Sequence, residues 1–373
     1  MFKREKRAFL LWNYIIWREI SFSLLKFNKN YISNYGLTQK IIMTERKFQM
    51  AFVELLKNSV PAHINLAEEL SSRMSMSLDS VYRRLRCETD FSFEESLQIA
   101  EQFNISIANL IASHANMVTF RANNLNDNVD SFARYLRILH ADLDWMRNSP
   151  NASVTYAAED LPVFYNFFFP ELARFKMCYW NKSTLNSPAF QGLSVEDVAV
   201  PIDWAAEATK IREAFMRIPS TEIWHEDTLK STLKQIQFYW AAGFFKSQET
   251  YLNILNELIQ LIEMVKKQAE VGKKYNPITK EYSEQDYTLY ACDLMIGNNC
   301  VYLKSDNKSA SYLGYNTFNF IQTKNDYFNR QTEEWLNNLI SKSDKVSQIS
   351  EKTRNQFFMN LLSYIERIKV QIL

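Results

Sequence analysis

The chain has 373 residues, 47% of them hydrophobic and 14% aromatic, with a formal net charge of +1. That length suits two domains and a sizeable core, while only six glycines and eight prolines exclude a sandwich or barrel built from many tight turns. The near-neutral balance excludes a global field that would mark a strongly charged partner.

Four cysteines (Cys87, Cys178, Cys292, Cys300) include no CxxC pair, and four histidines (His63, His114, His140, His225) show no HExxH or other paired spacing. Neither a metal site nor a cofactor is expected, and the cysteine usage suits a reducing cytoplasm.

Residues 1–42 begin basic and turn apolar, but Arg18 and Glu19 interrupt the apolar run and no small-residue cleavage site follows. The run is too short and too charged for a membrane span or a signal peptide. Because Met43 opens an ordinary-looking domain start, MTERKFQMAFVELL, residues 1–42 read as an upstream extension ahead of the native start. An added helix on the body and an amphipathic helix on a membrane surface stay open as alternatives.

From residue 44 the apolar spacing predicts a run of short helices. The first carries Phe48, Phe52, Val53, Leu55 and Leu56 and ends at Pro61. Asn65 caps the second, with Leu66, Ala67, Leu70 and Met74 on one face. Ser75-Met76-Ser77 makes a tight connector, and Ser77 caps a third helix with Asp79 in its first turn. In that helix Leu78, Val81 and Leu85 are expected to face inward. Asp79, Tyr82, Arg83 and Arg86 then point outward, with Arg84 on a flank. Ser92 and Glu95 form a capping box for a fourth helix, and Ser106 opens a short fifth.

This spacing resembles the XRE (Cro/CI, lambda-repressor-like) helix-turn-helix family. Leu70-Ser71, Ser75-Met76-Ser77, Val81 and Leu85-Arg86-Cys87 fall on its core pattern; Leu97, Ala100, Ile105-Ser106 and Leu110 fall on its ending. The chain departs from the pattern with Ser71 in place of alanine, and with Ser75 and Cys87 in place of glycines. The resemblance covers residues 43–114, under a fifth of the chain. It implies a five-helix domain that binds double-stranded DNA as a homodimer, with its third helix in the major groove. The residues placed for contact are Asn65, Ser77, Asp79, Ser80, Tyr82, Arg83, Arg84 and Arg86. Independently of the name, arginine is the commonest bidentate partner of guanine, and Asp79 is suited to accept from a cytosine amine. Between Met43 and Ala112, however, seven Lys or Arg face ten Asp or Glu, a net of −3. The domain as a whole lacks the usual electrostatic footprint of a DNA binder.

The Asn-rich stretch 115–130 reads as a linker. Residues 131–280 read as a helical body: helices at 131–149, 203–218, 223–242 and 248–270, with an aromatic-dense pair between Tyr156 and Trp180. That pair is a buried core or an aromatic-lined pocket. Residues 281–373 read as a small α+β module. In it, 287–296 and 300–304 form a hairpin around Gly297-Asn298-Asn299, a third strand follows within 309–323, and two helices close the chain. The fold class expected is therefore mainly α: a five-helix DNA-binding domain, then a helical body with a small antiparallel sheet near the C-terminus.

The function expected is a cytoplasmic transcriptional regulator with no membrane association. Its C-terminal region senses a small-molecule or protein effector or drives oligomerisation, without catalysis. Two other classes stay open. One is a helical interaction protein that uses the helix-turn-helix for protein contact. The other is an enzyme in the C-terminal part, for which Glu284, Asp286 and Asp293 are the clustered carboxylates of the strand region; no phosphate loop or nucleophile elbow accompanies them.

Overall fold

The computed structural model describes residues 47–60, 64–103, 105, 107, 117–122, 125, 129–306 and 308–370. The expectations for residues 1–42 and for the fifth helix at Ser106 fall outside them, apart from isolated residues of the latter. The chain divides into two compact units, one ending at Met117 and the other beginning at Val118.

The first unit contains α1 (Lys47–Ser59), α2 (Leu66–Met74), α3 (Leu78–Leu85) and α4 (Phe93–Gln102). Each start has a chemical cause. The Asn65 side chain accepts from the Ala67 N–H, and Ser77 Oγ accepts from the Ser80 N–H. Ser92 and Glu95 satisfy one another's backbone donors reciprocally. The core gathers Phe52 and Leu56 from α1, Ala67 and Leu70 from α2, Val81 from α3, and Ile99 and Ala100 from α4 around Phe91. Leu78 does not join Val81 in this core and is 45% exposed. A helical side chain leans over the turn that precedes it, and Leu78, as the first helical residue, has no such turn.

Two backbone positions shape this unit. Ser75 closes α2 at φ +52° and ψ +36°, its N–H donating to the Ser71 carbonyl; Cys87 follows α3 at φ +59°. Among the described residues of this unit they are the two with positive φ, the left-handed region that glycine adopts without penalty.

The second unit overturns the expected fold class. It is built on a nine-stranded mixed sheet: β1 (Arg121–Ala122), β2 (Ser153–Ala158), β3 (Ser220–Trp224), β4 (Lys273–Asn276), β5 (Glu281–Ala291), β6 (Cys300–Lys304), β7 (Ser309–Tyr315), β8 (Asn319–Thr323) and β9 (Asp344–Lys345). The strand order is β1-β8-β7-β6-β2-β3-β5-β4, with β9 also pairing β5. β2, β3 and β5 run parallel, and the remaining pairs are antiparallel. The chain is thus not mainly α with a small C-terminal sheet.

Three local expectations fail with it. Residues 223–242, read as one helix, are the end of β3 followed by α9 (Lys230–Ala241). The hairpin of 287–296 with 300–304 does not form, because β2 and β3 lie between β5 and β6. The single strand within 309–323 is the hairpin β7–β8, and β8 also pairs with β1 from the stretch read as a linker.

Helices α5 (Val129–Arg147), α6 (Val163–Asn166), α7 (Pro170–Tyr179), α8 (Ile202–Met216), α9, α10 (Gln248–Val271) and α12 (Glu351–Val370) belong with one face of the sheet. That face contributes Tyr156, Trp224, Tyr287, Leu289, Val301 and Leu303 to the main core. The opposite face contributes Ala157, Ile223, Cys300 and Tyr302, and α11 (Asp326–Ser341) covers it with Leu336 and Leu339. Helix α10 ends at Gly272, φ +76°, the left-handed cap that glycine supplies.

Candidate nucleic-acid interface

On α3, Asp79, Tyr82, Arg83 and Arg86 stand at i, i+3, i+4 and i+7, and all four are exposed. Asn65 and Ser77, each at the start of a helix, are exposed as well. Six of the eight sequence-selected residues therefore reach solvent. Leu78 joins them at the first turn of α3, with its side chain near that of Tyr82 at i+4. The heptad-like pattern assigns Leu78 to the core, so no signal in the spacing picks it out.

Ser80 and Arg84 are turned another way. The Arg84 guanidinium donates to Glu95 from Nη2 at 3.0 Å and from Nε at 3.3 Å, and Nη1 donates to Ser80 Oγ. Glu95 meanwhile accepts from the Ser92 N–H at 2.7 Å. One carboxylate thus serves both the start of α4 and the flank of α3. Arg84 positions the exposed face rather than adding to it.

The remaining arginines share an anion of their own. Arg86 donates to both oxygens of Glu88, Nε at 2.7 Å and Nη2 at 3.3 Å, and Arg83 Nε lies 3.8 Å from Glu88. The hydrogen bond from Arg86 to Glu88, with the attraction between the charges, holds the guanidinium above its ordinary value. All three side chains are about half exposed, where such pairs contribute little to stability.

Lengthwise, α1 fixes the far end of α3. The buried Gln49 donates from Nε2 to the Arg84 carbonyl at 3.0 Å and accepts at Oε1 from the Phe91 N–H at 3.1 Å. Backbone polar groups left by the end of α3 are satisfied in this way.

In the second unit, Asp293 does not converge with Glu284 and Asp286, the other carboxylates singled out for an enzyme, which both lie on β5. Asp286 pairs with Lys273 at 2.7 Å, while Asp293 lies beyond the end of β5. The seven-residue step between them spans roughly 20 Å along an extended strand. His225 accepts from the Asp227 N–H through Nδ1 and so starts a short helical turn. The four cysteines are free thiols. Among the described residues, no group of three or more His, Cys, Asp or Glu is placed to hold a metal ion, and no helix is long and apolar enough to cross a membrane.

The interior of this unit holds a buried carboxylate that no sequence motif marks. Glu222 on β3 accepts from Tyr165 OH at 2.5 Å, Trp224 Nε1 at 2.9 Å and Tyr287 OH at 3.2 Å. Burial pushes its carboxyl up to about 7, against the pull of the Tyr165 hydroxyl and the Lys274 ammonium. The same burial brings the Lys274 ammonium down to about 7, with Glu222 opposing. Lys274 donates to the Phe215 carbonyl at 2.5 Å and sits over the Phe215 ring.

On the other face of the sheet, a cleft of about 380 Å³ is lined by Gly297, Leu313, Phe328, Thr332 and Trp335 among others. That volume lies within the range of small-molecule sites. The turn beside it is anchored by Asn299, whose Oδ1 accepts from the Glu159 and Asp160 N–H groups at 2.9 and 3.1 Å.

No family model matches the chain, and no curated protein or solved structure does so either.

Proposed function

We propose that the chain is a sequence-specific DNA-binding transcriptional regulator of the cytoplasm, with its first unit as the reader. The observation that carries this reading is the backbone at Ser75 and Cys87. The two sites where the resembling family has glycine are the two described positions of positive φ in this unit, a correspondence that side-chain composition does not produce. These turns bracket α3 and leave Leu78, Asp79, Tyr82, Arg83 and Arg86 exposed along it. Arg83 is suited to a guanine edge, Leu78 to a thymine methyl, and Arg86, Ser77 and Asn65 to phosphates. A homodimer doubles these contacts. The second unit senses an effector or drives assembly, and its 380 Å³ cleft beside Trp335 is of a size for a small apolar molecule. The reading gives the chain no catalytic step.

Selection of bound sequences from a random duplex library by the full chain tests the proposal. An enriched motif is expected, with affinity that falls steeply as salt rises. Recovery of no motif, together with binding that stays flat with salt, would overturn it. That outcome would favour a second reading, in which the same helices contact protein. Phe93 and Leu97, exposed one turn apart on α4, are the observation on that side.

A further inference from the structure

The arginine face of α3 is not a bare cationic surface. The chain leaves α3 through Cys87 in the left-handed conformation, and this reversal lets the Glu88 N–H donate to the Arg83 carbonyl at 2.8 Å while the Cys87 N–H donates to the Arg84 carbonyl at 3.0 Å. Such a closure fixes the backbone of the residue after the left-handed one. The Glu88 carboxylate is consequently delivered to the outward side of the helix, between Arg83 and Arg86. Arg86 gives it two hydrogen bonds and Arg83 faces it across 3.8 Å.

We propose that Glu88 is a built-in competitor for the phosphates of duplex DNA, setting the affinity of the Arg83–Arg86 face. This inference rests on the DNA-binding reading and adds a regulator of the same site. A phosphate arriving at this face meets two arginines already bridged by one carboxylate, so their summed charge is +1 rather than +2. It must displace Glu88 from Arg86 and then remain beside it. At Arg86 the cost falls on every sequence equally, because that side chain is suited to a backbone phosphate and not to a base edge. The consequence is weaker occupancy of non-specific sites: a cost common to all sequences lowers every affinity alike and leaves the ratio of specific to non-specific affinity unchanged. The acidic balance of the domain acts in the same direction.

Glu88→Gln in the full chain is the test, because the amide keeps the shape and removes the charge. With a mixed-sequence duplex in an anisotropy titration, binding is expected to tighten about three- to tenfold, the scale of releasing two exposed ion pairs. The slope of log affinity against log salt is expected to steepen, by up to about one for each further phosphate that the freed arginines neutralise. Glu88→Lys should extend both changes. Retention of the wild-type melting temperature by Glu88→Gln separates this from a folding effect. If the wild type binds with salt dependence and Glu88→Gln binds no tighter, the competitor role is overturned while the DNA reading stands. If neither protein binds duplex DNA, both are overturned. If Glu88→Gln binds where the wild type does not, Glu88 opposes duplex binding as proposed, but the DNA reading of the wild-type chain is overturned.

Discussion

Gln49 on α1 donates from its carboxamide nitrogen to the carbonyl oxygen of Arg84 on α3, across 35 positions of sequence, at 3.0 Å. Its oxygen accepts from the Phe91 N–H at 3.1 Å, so one buried side chain holds both the end of α3 and the loop that leaves it. Replacing Gln49 by Leu keeps the volume and leaves the Phe91 donor without this partner in the interior. Each such orphaned group costs about 1–3 kcal/mol. The expected outcome is a loss of about 2–3 kcal/mol in the stability of the first unit, read by amide hydrogen exchange of residues 47–103. DNA affinity is expected to fall with it. Unchanged exchange protection would show that the loop is held by the core alone.

Ser75 and Cys87 carry side chains at φ +52° and +59°, a region that costs an ordinary residue about 1–2 kcal/mol. Ser75→Gly and Cys87→Gly should each stabilise the first unit by about 0.5–1 kcal/mol, the larger unfolded-state entropy of glycine taking back part of the relief. Thermal unfolding followed by far-UV circular dichroism reads the change. A loss at Ser75 would mean that the strain is offset by a contact its side chain makes, and a loss at Cys87 likewise.

These two residues also show how much of the candidate site was legible in the sequence. The positions were marked by spacing alone, since a family pattern placed glycine there, and the backbone requirement persists although the residue type has changed. Caps were legible for a similar reason: Asn65, Ser77, Ser92 and Glu95 act through local chemistry that needs no tertiary information. Glu88 was not legible, because its place between Arg83 and Arg86 follows from the left-handed turn at Cys87. The sheet was hidden by a different effect. In β2 the alternation that marks a half-exposed strand lasts only from Ser153 to Tyr156 before Ala157 and Ala158, both buried, end it, and β3 opens with the polar run Ser220-Thr221-Glu222. They lie next to helices, and their apolar ends, Tyr156-Ala157-Ala158 and Ile223-Trp224, were absorbed into helical runs. With both strands uncounted, β5 was assigned its nearest neighbour in sequence, β6, instead of its true neighbour β3.

Arg83 and Arg86 are separable by experiment, although both approach Glu88. Arg83 lies within α3 and is suited to a base edge, so Arg83→Ala should cost about 1–3 kcal/mol on the preferred site and relax the selected motif at one position. Arg86 caps the helix and is suited to phosphate. Arg86→Ala should weaken all duplexes alike and lower the salt slope by about one. Equal, sequence-independent losses from both would place both side chains on phosphates. Arg84→Ala should instead destabilise the first unit, since its partners are Glu95 and Ser80.

The second unit carries its own pH dependence. With its carboxyl near 7 in the folded chain against an ordinary value of 4.5, Glu222 keeps a proton that the unfolded chain has released. Its stability contribution is complete below about pH 4.5 and falls as pH rises toward 7, by up to about 1.4 kcal/mol per pH unit. Lys274 acts in the opposite window. Between about 7 and 10.5 the unfolded chain holds a proton that the folded chain lacks, so stability from this group rises with pH. Subtracting the pH–stability curve of each variant from that of the wild type isolates the two contributions. Glu222→Gln should remove the fall between pH 4.5 and 7, and Lys274→Met the rise above 7. Because the ammonium helps ionise Glu222, Lys274→Met should also carry the Glu222 fall to higher pH. Unfolding followed by tryptophan fluorescence suits the measurement, since Trp224 Nε1 donates to Glu222 at 2.9 Å. A Lys274→Met curve in which the Glu222 fall ends at the same pH as in the wild type would show that the two buried charges do not interact.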